Sequence, residues 1–308
     1  MSVKKRYPGW SCKAITFTID DGNIEMDKKF ISIVKPNGIL GTFNLCSPNL
    51  NKYTADFYRE LYSGFGISNH CKSHPFLLKE ESFQISDEEF DIQTADEGKL
   101  YKTAKEGLYL FKATAGWRRT ATLETYCQLI SESHKELEAV FGEGSITTFV
   151  WPYGDRNSPE ILDYVANELS YTAVRKTGLL EDTTGFLPPI DRMHWSYNAS
   201  HKNLLACAEK YDNLADDGEL KFFSLGVHSV DYENADKWDE LSEFAARYGN
   251  RPNDFYYASV EDIFGYVDAM NEVKITENTV ENPTNRDIYL EIDEEKIILA
   301  PNEKIKIG

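Results

Sequence analysis

Four short polar clusters carry residues whose types and spacing could do chemistry. The first is Asp20-Asp21, in TIDDG. Adjacent carboxylates at the mouth of a buried strand can divide labour: one binds a cation, and the other stays free as a base whose pKa that cation sets. Asp before Gly is also common turn or N-cap chemistry, so the pair alone decides nothing. The second cluster is His70 and His74, in NHCKSHP. The H-x-x-x-H spacing sets two imidazoles on one face of a single turn, suited to one metal ion. Pro75 biases His74 away from the α region, which puts the pair in a turn at a strand end. Cys71, between them, reads as a small buried filler before it reads as a third ligand. The third cluster, Trp151-Pro152-Tyr153-Gly154-Asp155, is a rigid aromatic loop, and the fourth is His228, directly after the apolar run FFSLGV.

The set says more than its members. One Asp and two His make a facial set of three ligands, with positions left for water and substrate. Imidazole plus carboxylate suits zinc or another divalent transition metal. Asp20 would then supply a base and His228 an acid for the leaving group. That is what metal-assisted hydrolysis of an amide or ester needs.

Elements must bring these clusters together. Strands are expected at 14–19, 39–45, 66–70, 146–151, 171–175 and 221–227, from short β-branched and aromatic runs bounded by turn residues. Helices are expected at 24–35, 54–63, 131–141 and 259–270, the first stopped by Pro36-Asn37-Gly38 and the last opened by Ser259. Strand alternating with helix favours a parallel sheet or barrel. The polar stretch 80–130 reads as an excursion over one face plus a helix, with Trp117, Arg118 and Arg119 as its contact residues. Residues 273–308 have β-only spacing.

In that order and at those intervals, TIDDG, NHCKSHP, FVWPYGDRN and LGVH resemble the polysaccharide deacetylases of the NodB-homology type, carbohydrate esterase family 4. The family's motifs read T-F-D-D-G, H-S/T-x-x-H and a closing Leu-x-His. The closing FYYASVEDIFGYVDAM is also similar, so the resemblance covers about residues 11–270. It implies an α/β fold, a distorted (β/α) barrel over 1–272 with the site at the C-terminal ends of the strands, and the β-only spacing of 273–308 adds a small all-β extension. It assigns Asp20 as general base, Asp21, His70 and His74 as ligands of a divalent metal (zinc first, cobalt or nickel otherwise) and His228 as general acid. The Tyr153 backbone N–H would help hold the oxyanion, and Trp151, Pro152, Trp195 and Arg192 would contact the carbohydrate. The reaction implied is attack of metal-polarised water on an N-acetyl or O-acetyl group.

Two departures from the family's pattern matter. The family usually has Arg in R-P-P-Y, three residues before the Tyr, and here that position is Val150. Its Asp-Trp motif is approximated by Asp191-Arg192-Met193-His194-Trp195. Arg192 or Arg175 would have to orient Asp20 instead. Two other functions stay open: an allantoinase-like hydrolase of a small cyclic amide, which typically lacks the full metal triad, and a carbohydrate-binding homologue without activity. A hydrolase built on Cys71 has no oxyanion signature around it.

Composition narrows the partners. The 308 residues are 41% apolar and 27% charged, ordinary for a globular chain long enough for a barrel or two domains. A net charge of −18 without a basic patch argues against nucleic acid. No apolar run approaches the roughly 20 residues that cross a bilayer. Five widely spaced cysteines and no secretory h-region point to a reducing cytoplasm, a trimmed secreted protein being the alternative. The expected partner is a carbohydrate or another small N-acetylated molecule.

Overall fold

A computed structural model describes residues 2–78, 84–96, 98–105, 107–113, 116–154, 158–179 and 186–307. Seven parallel strands build the barrel: β1 (Lys13–Asp21), β2 (Thr42–Leu45), β3 (Gly66–Asn69), β4 (Thr148–Val150), β5 (Ala173–Leu179), β6 (Trp195–Tyr197) and β7 (Lys221–His228). Their spatial order is β6-β5-β4-β3-β2-β1-β7. A thin seam joins the ends: Asn198 N–H donates to Ser224 O (3.0 Å) and Gly226 N–H to Ala199 O (2.9 Å). This is the distorted (β/α) barrel that the sequence predicts.

The helices on the outside are α1 (Ile24–Val34), α2 (Ala55–Leu61), α3 (Leu123–Phe141), α4 (Pro159–Asn167), α5 (Leu204–Asp212), α6 (Ser229–Asn234), α7 (Trp238–Tyr248) and α8 (Val260–Glu272). Strand alternation sorts β1 cleanly. Ile15, Phe17 and Ile19 join the core under the helices, while Thr18 and Asp20 share one Asn44 amide on the other face. That inner face leads straight up to the catalytic end. α8 plugs the opposite end, where Glu261 accepts from Thr42 Oγ1 (2.7 Å) and Thr148 Oγ1 (2.9 Å).

The stretch from 76 to 121 corrects the expected excursion. It is a five-stranded sheet, in the order Phe76–Leu77, Gly116–Ala121, Leu108–Ala113, Lys99–Lys102, Gln84–Ser86. The sheet borders the barrel mouth, where Phe76 stacks on Tyr153 and Lys105 Nζ donates to Ser73 Oγ. The helix expected at 131–141 starts earlier, at Leu123, because Thr122 caps it by accepting from Thr125 N–H.

The tail is all β. Lys274–Ile275, Thr279–Glu281 and Lys304–Lys306 form one antiparallel sheet, and Ile288–Ile292 and Glu295–Leu299 form a hairpin. The N-terminal strand Val3–Arg6 adds to that hairpin, pairing antiparallel with Ile288–Ile292. Tyr266 of α8 ties the two ends together: its hydroxyl donates to Arg6 O (2.6 Å) and accepts from Tyr289 N–H (3.0 Å). Among the described residues no helix is long and apolar enough to cross a membrane.

Candidate active site

The parallel register lines up the chemistry. His228 of β7 and Asn44 of β2 both stand opposite Asp20, and Val150 of β4 stands opposite Arg175 of β5. His70 follows β3 directly, and its backbone N–H donates to Leu45 O (3.0 Å). Asp20, Asn44, Val150, His70 and His228 lie at or beside the C-terminal ends of their strands, the usual barrel site, and Arg175, third in the longer β5, is level with them in register.

Backbone geometry separates the two adjacent carboxylates. Asp20 is the last inward residue of β1, 4% exposed. Asp21 adopts a left-handed conformation (φ 77°), which turns its side chain out of the strand's alternation. Gly22 follows with φ 73°, and a Cβ there would lie 2.8 Å from Leu45 Cδ2. The sequence Asp-Asp-Gly thus presents two carboxylates to two different places.

Asp20 Oδ1 accepts from Asn44 Nδ2 (2.7 Å) and from Arg175 Nη2. Burial pushes the Asp20 pKa up, but the Arg175 guanidinium, with His70 and His228, outweighs it and holds the group below its ordinary value. Asp20 is therefore a carboxylate at neutral pH, with no described residue donating to Oδ2.

Asp21 Oδ1 lies 3.4 Å from His70 Nε2 and 3.5 Å from His74 Nε2, yet among the described residues this buried oxygen has no hydrogen-bond partner. The two Nε2 atoms are 3.1 Å apart. His70 Nδ1 lies 2.9 Å from Val150 O, an arrangement that puts its proton on Nδ1 and aims the Nε2 lone pair at Asp21 and His74. Burial first, then the neighbouring His70, pushes the His74 pKa down to about 4, so His74 is neutral at pH 7. Burial alone would raise the Asp21 pKa, but the three surrounding imidazoles hold it well below the carboxylate range. One carboxylate oxygen and two imidazole nitrogens, all within 4.8 Å of one another, fit a divalent transition metal in both donor chemistry and protonation.

A strained turn holds the histidines: Cys71, Ser73 and His74 all have positive φ (63°, 68° and 47°). Cys71 is fully buried and burial raises its pKa, which makes it a filler and excludes a thiolate nucleophile.

His228 lies across the site, its Nε2 3.8 Å from Asp21 Oδ2. Its Nδ1 lies 3.0 Å from Asp231 Oδ2, which also accepts from the His228 backbone N–H (3.1 Å) in a capping box opening α6. This hydrogen bond, with help from Asp20 and Asp21 and against burial, raises the His228 pKa to about 9. His228 is thus protonated at neutral pH and faces the donor set.

Tyr153 stands at the rim with φ 59°, half-exposed, its ring stacked on Phe76 (3.9 Å, 3°) and edge-on to His74 (4.4 Å). Two other members of its loop, Trp151 and Pro152, differ from expectation. Trp151 is fully buried between Phe149 and Tyr126, and Pro152 is buried beside it, so neither offers a surface to substrate. Asp155 lies outside the described residues. Trp195 and Arg192 are also corrected. The Trp195 ring packs on Phe222 and on Phe264 of α8, at the closed end of the barrel. Arg192 lies over the same Phe264 (4.1 Å) and pairs with Asp268 (3.1 Å), far from Asp20. Of the two arginines considered, Arg175 reaches the base.

Two residues were not anticipated from sequence. Asn44 was legible only through strand register. Asp231 carried a signal, a carboxylate three residues after His228 where a capping box would sit.

Two clefts meet at Asp21. One, about 330 Å³, runs past Cys46, Ser73 and His74 to Lys105 and Arg119. The other, about 410 Å³, runs past Asn23, Glu25 and Lys52 to His228. Both are within the usual size of ligand pockets, about 300–1,000 Å³.

A family model described as polysaccharide deacetylase matches residues 9–174. No curated protein matches the chain. A solved structure described as a polysaccharide deacetylase from Mycobacterium smegmatis is similar at 13% identity and a TM-score of 0.54, covering 89% of this chain and 96% of that one. A peptidoglycan deacetylase of Bacillus subtilis aligns at 13% identity and a TM-score of 0.44, covering 87% and 95%. A family 4 carbohydrate esterase from Streptomyces lividans aligns at 11% identity and a TM-score of 0.43, covering 79% and 91%.

Proposed function

The chain belongs to the polysaccharide deacetylase family and is a carbohydrate deacetylase, and from that premise we propose that it hydrolyses the acetyl group of an N-acetylated sugar with Asp20 as base, His228 as acid and a divalent metal on Asp21, His70 and His74. When bound, such an ion (zinc, or alternatively cobalt or nickel) would polarise the acetyl carbonyl and make water a stronger nucleophile. Asp20, ionised and held by Arg175 and Asn44, takes the proton from the attacking water on its Oδ2 side. The Tyr153 backbone N–H, at the rim beside His74, donates to the oxygen that gains charge. His228, kept protonated by Asp231, gives its proton to the departing amine, or to the alkoxide if the group is an O-acetyl ester. The observation that carries this reading is the convergence of an ionised, a metal-fitting and a protonated group on Asp21.

The complete donor set favours this reading over an allantoinase-like amide hydrolase or a sugar-binding homologue without activity. All five cysteines are free, which supports a reducing compartment and hence a small soluble sugar rather than a cell-wall polymer. Acetate release from a panel of N-acetylated sugars tests the proposal, with Asp20→Asn as the control. A metal-loaded protein that releases no acetate from any of them, or an Asp20→Asn variant as active as wild type, would overturn it.

A further inference from the structure

The inserted sheet brings two cations to one end of the site. Arg119 lies on its strand Gly116–Ala121, and Lys105 lies in the connection between two other strands of the same sheet. Both line the cleft that holds Asp21 and His74. Apart from Asp21, which belongs to the donor set, no carboxylate among the described residues lines that cleft. Among the described residues Lys105 Nζ bonds only the neutral Ser73 Oγ (2.9 Å), and Arg119, exposed on its strand, makes no ion pair. The second cleft differs: its cation, Lys52, faces Glu25 at 4.0 Å. In a chain of net charge −18, two unneutralised cations in one cleft are a local reversal of the molecule's field. The aromatic wall of Phe76 and Tyr153 stands by His74, on the same side of the site.

Resting on the deacetylase reading, we propose that Lys105 and Arg119 form an anion subsite, so that the sugar deacetylated here carries a carboxylate or phosphate group besides its acetyl group. A fork such as Arg119 reads either anion through two parallel N–H bonds, and Lys105 adds a point charge. A neutral sugar would leave both cations unpaired.

Equilibrium binding tests this on the zinc-loaded protein, with acetate release followed in the same samples. The probes are N-acetylglucosamine, N-acetylglucosamine 6-phosphate and N-acetylmuramic acid, which are neutral, phosphorylated and carboxylated. At low salt one or both anionic probes should bind at least about tenfold more tightly than the neutral one, and the probe that does so identifies the anion. Lys105→Gln/Arg119→Gln should abolish that advantage, and Lys105→Arg should keep it. Both side chains lie at the surface of the cleft, and an unchanged melting temperature confirms the fold of each variant. Equal binding of all three probes, or an advantage that survives in the double variant because the anion sits on the metal, overturns the subsite. Absence of acetate release alongside a genuine anion preference overturns the reaction and leaves the subsite standing.

Discussion

Arg175 and Asp20 meet across the mouth of the barrel although they stand 155 positions apart in sequence, and Arg175 Nη2 donates to Asp20 Oδ1. Both are buried, and the guanidinium also lies 5.2 Å from the Tyr197 ring. The family's usual arginine position is Val150 on β4, and Arg175 is the register partner of Val150 on the next strand. The charge beside the base has moved one strand sideways and stayed at the same height.

That relationship sets the first prediction. Arg175→Gln removes the charge that holds the Asp20 pKa down, while the burial that pushes it up remains. The Asp20 pKa then rises, and because a base works deprotonated, the acid limb of kcat/KM moves to higher pH. Activity at pH 7 should fall by about 10²–10⁴. An unpaired buried carboxylate should also cost about 3–5 kcal/mol of stability. A pH profile and a melting curve measured together check both, and an unmoved acid limb would separate Arg175 from the base.

Asp231→Asn acts on the other limb. The hydrogen bond to Asp231 is the largest cause of the raised His228 pKa, about 9. An acid works protonated, so activity persists up to the folded pKa of His228 and is lost above it. Weakening the partner lowers that pKa and moves the alkaline limb to lower pH, with the acid limb in place. A limb that stays put would assign the alkaline loss to another group.

Six of the seven barrel strands and the four polar clusters were legible because those strands are short apolar runs bounded by turn residues, whereas β6, three residues long, shows no period to read. Asp20, Asp21, His70, His74 and His228 all follow such runs. Trp151 and Trp195 misled for a shared reason: aromatic residues beside a motif read equally well as a sugar platform or as core, and only packing chooses. Arg192 and Arg175 both lie in plausible positions along the chain, and register alone decides between them. The inserted sheet escaped because its strands, polar over much of their length and short on core, lack the clean alternation that marks a half-buried strand.

Metal content checks the donor set directly. The protein should hold about one divalent transition metal per chain, and His70→Ala/His74→Ala should hold none, as measured by mass spectrometry. Chelation should lower the melting temperature of wild type by the lost binding energy and leave the double variant unchanged. A wild type that takes up no zinc, cobalt or nickel would remove metal assistance from the mechanism.

Asp27 yields a prediction about stability. Its carboxyl is fully buried in α1 and accepts from Tyr62 Oη (2.7 Å) and from Ser229 Oγ (2.6 Å), the residue directly after His228. Burial, only partly offset by these two hydroxyls, pushes its pKa up to about 7. The folded state therefore holds a proton that the unfolded chain releases near its ordinary value of about 3.9. The stability from that proton is complete below the unfolded pKa and is lost as pH rises to about 7. Asp27→Asn keeps the shape, offers an acceptor and a donor to two hydroxyls that can turn, and cannot ionise. Relative to this variant, wild type should lose up to roughly 4 kcal/mol between pH 4 and 7. Denaturant titrations of both proteins across that range measure the difference, in which the titrations common to both cancel. Parallel curves would mean that Asp27 is ionised in the fold throughout and that the two hydroxyls outweigh its burial.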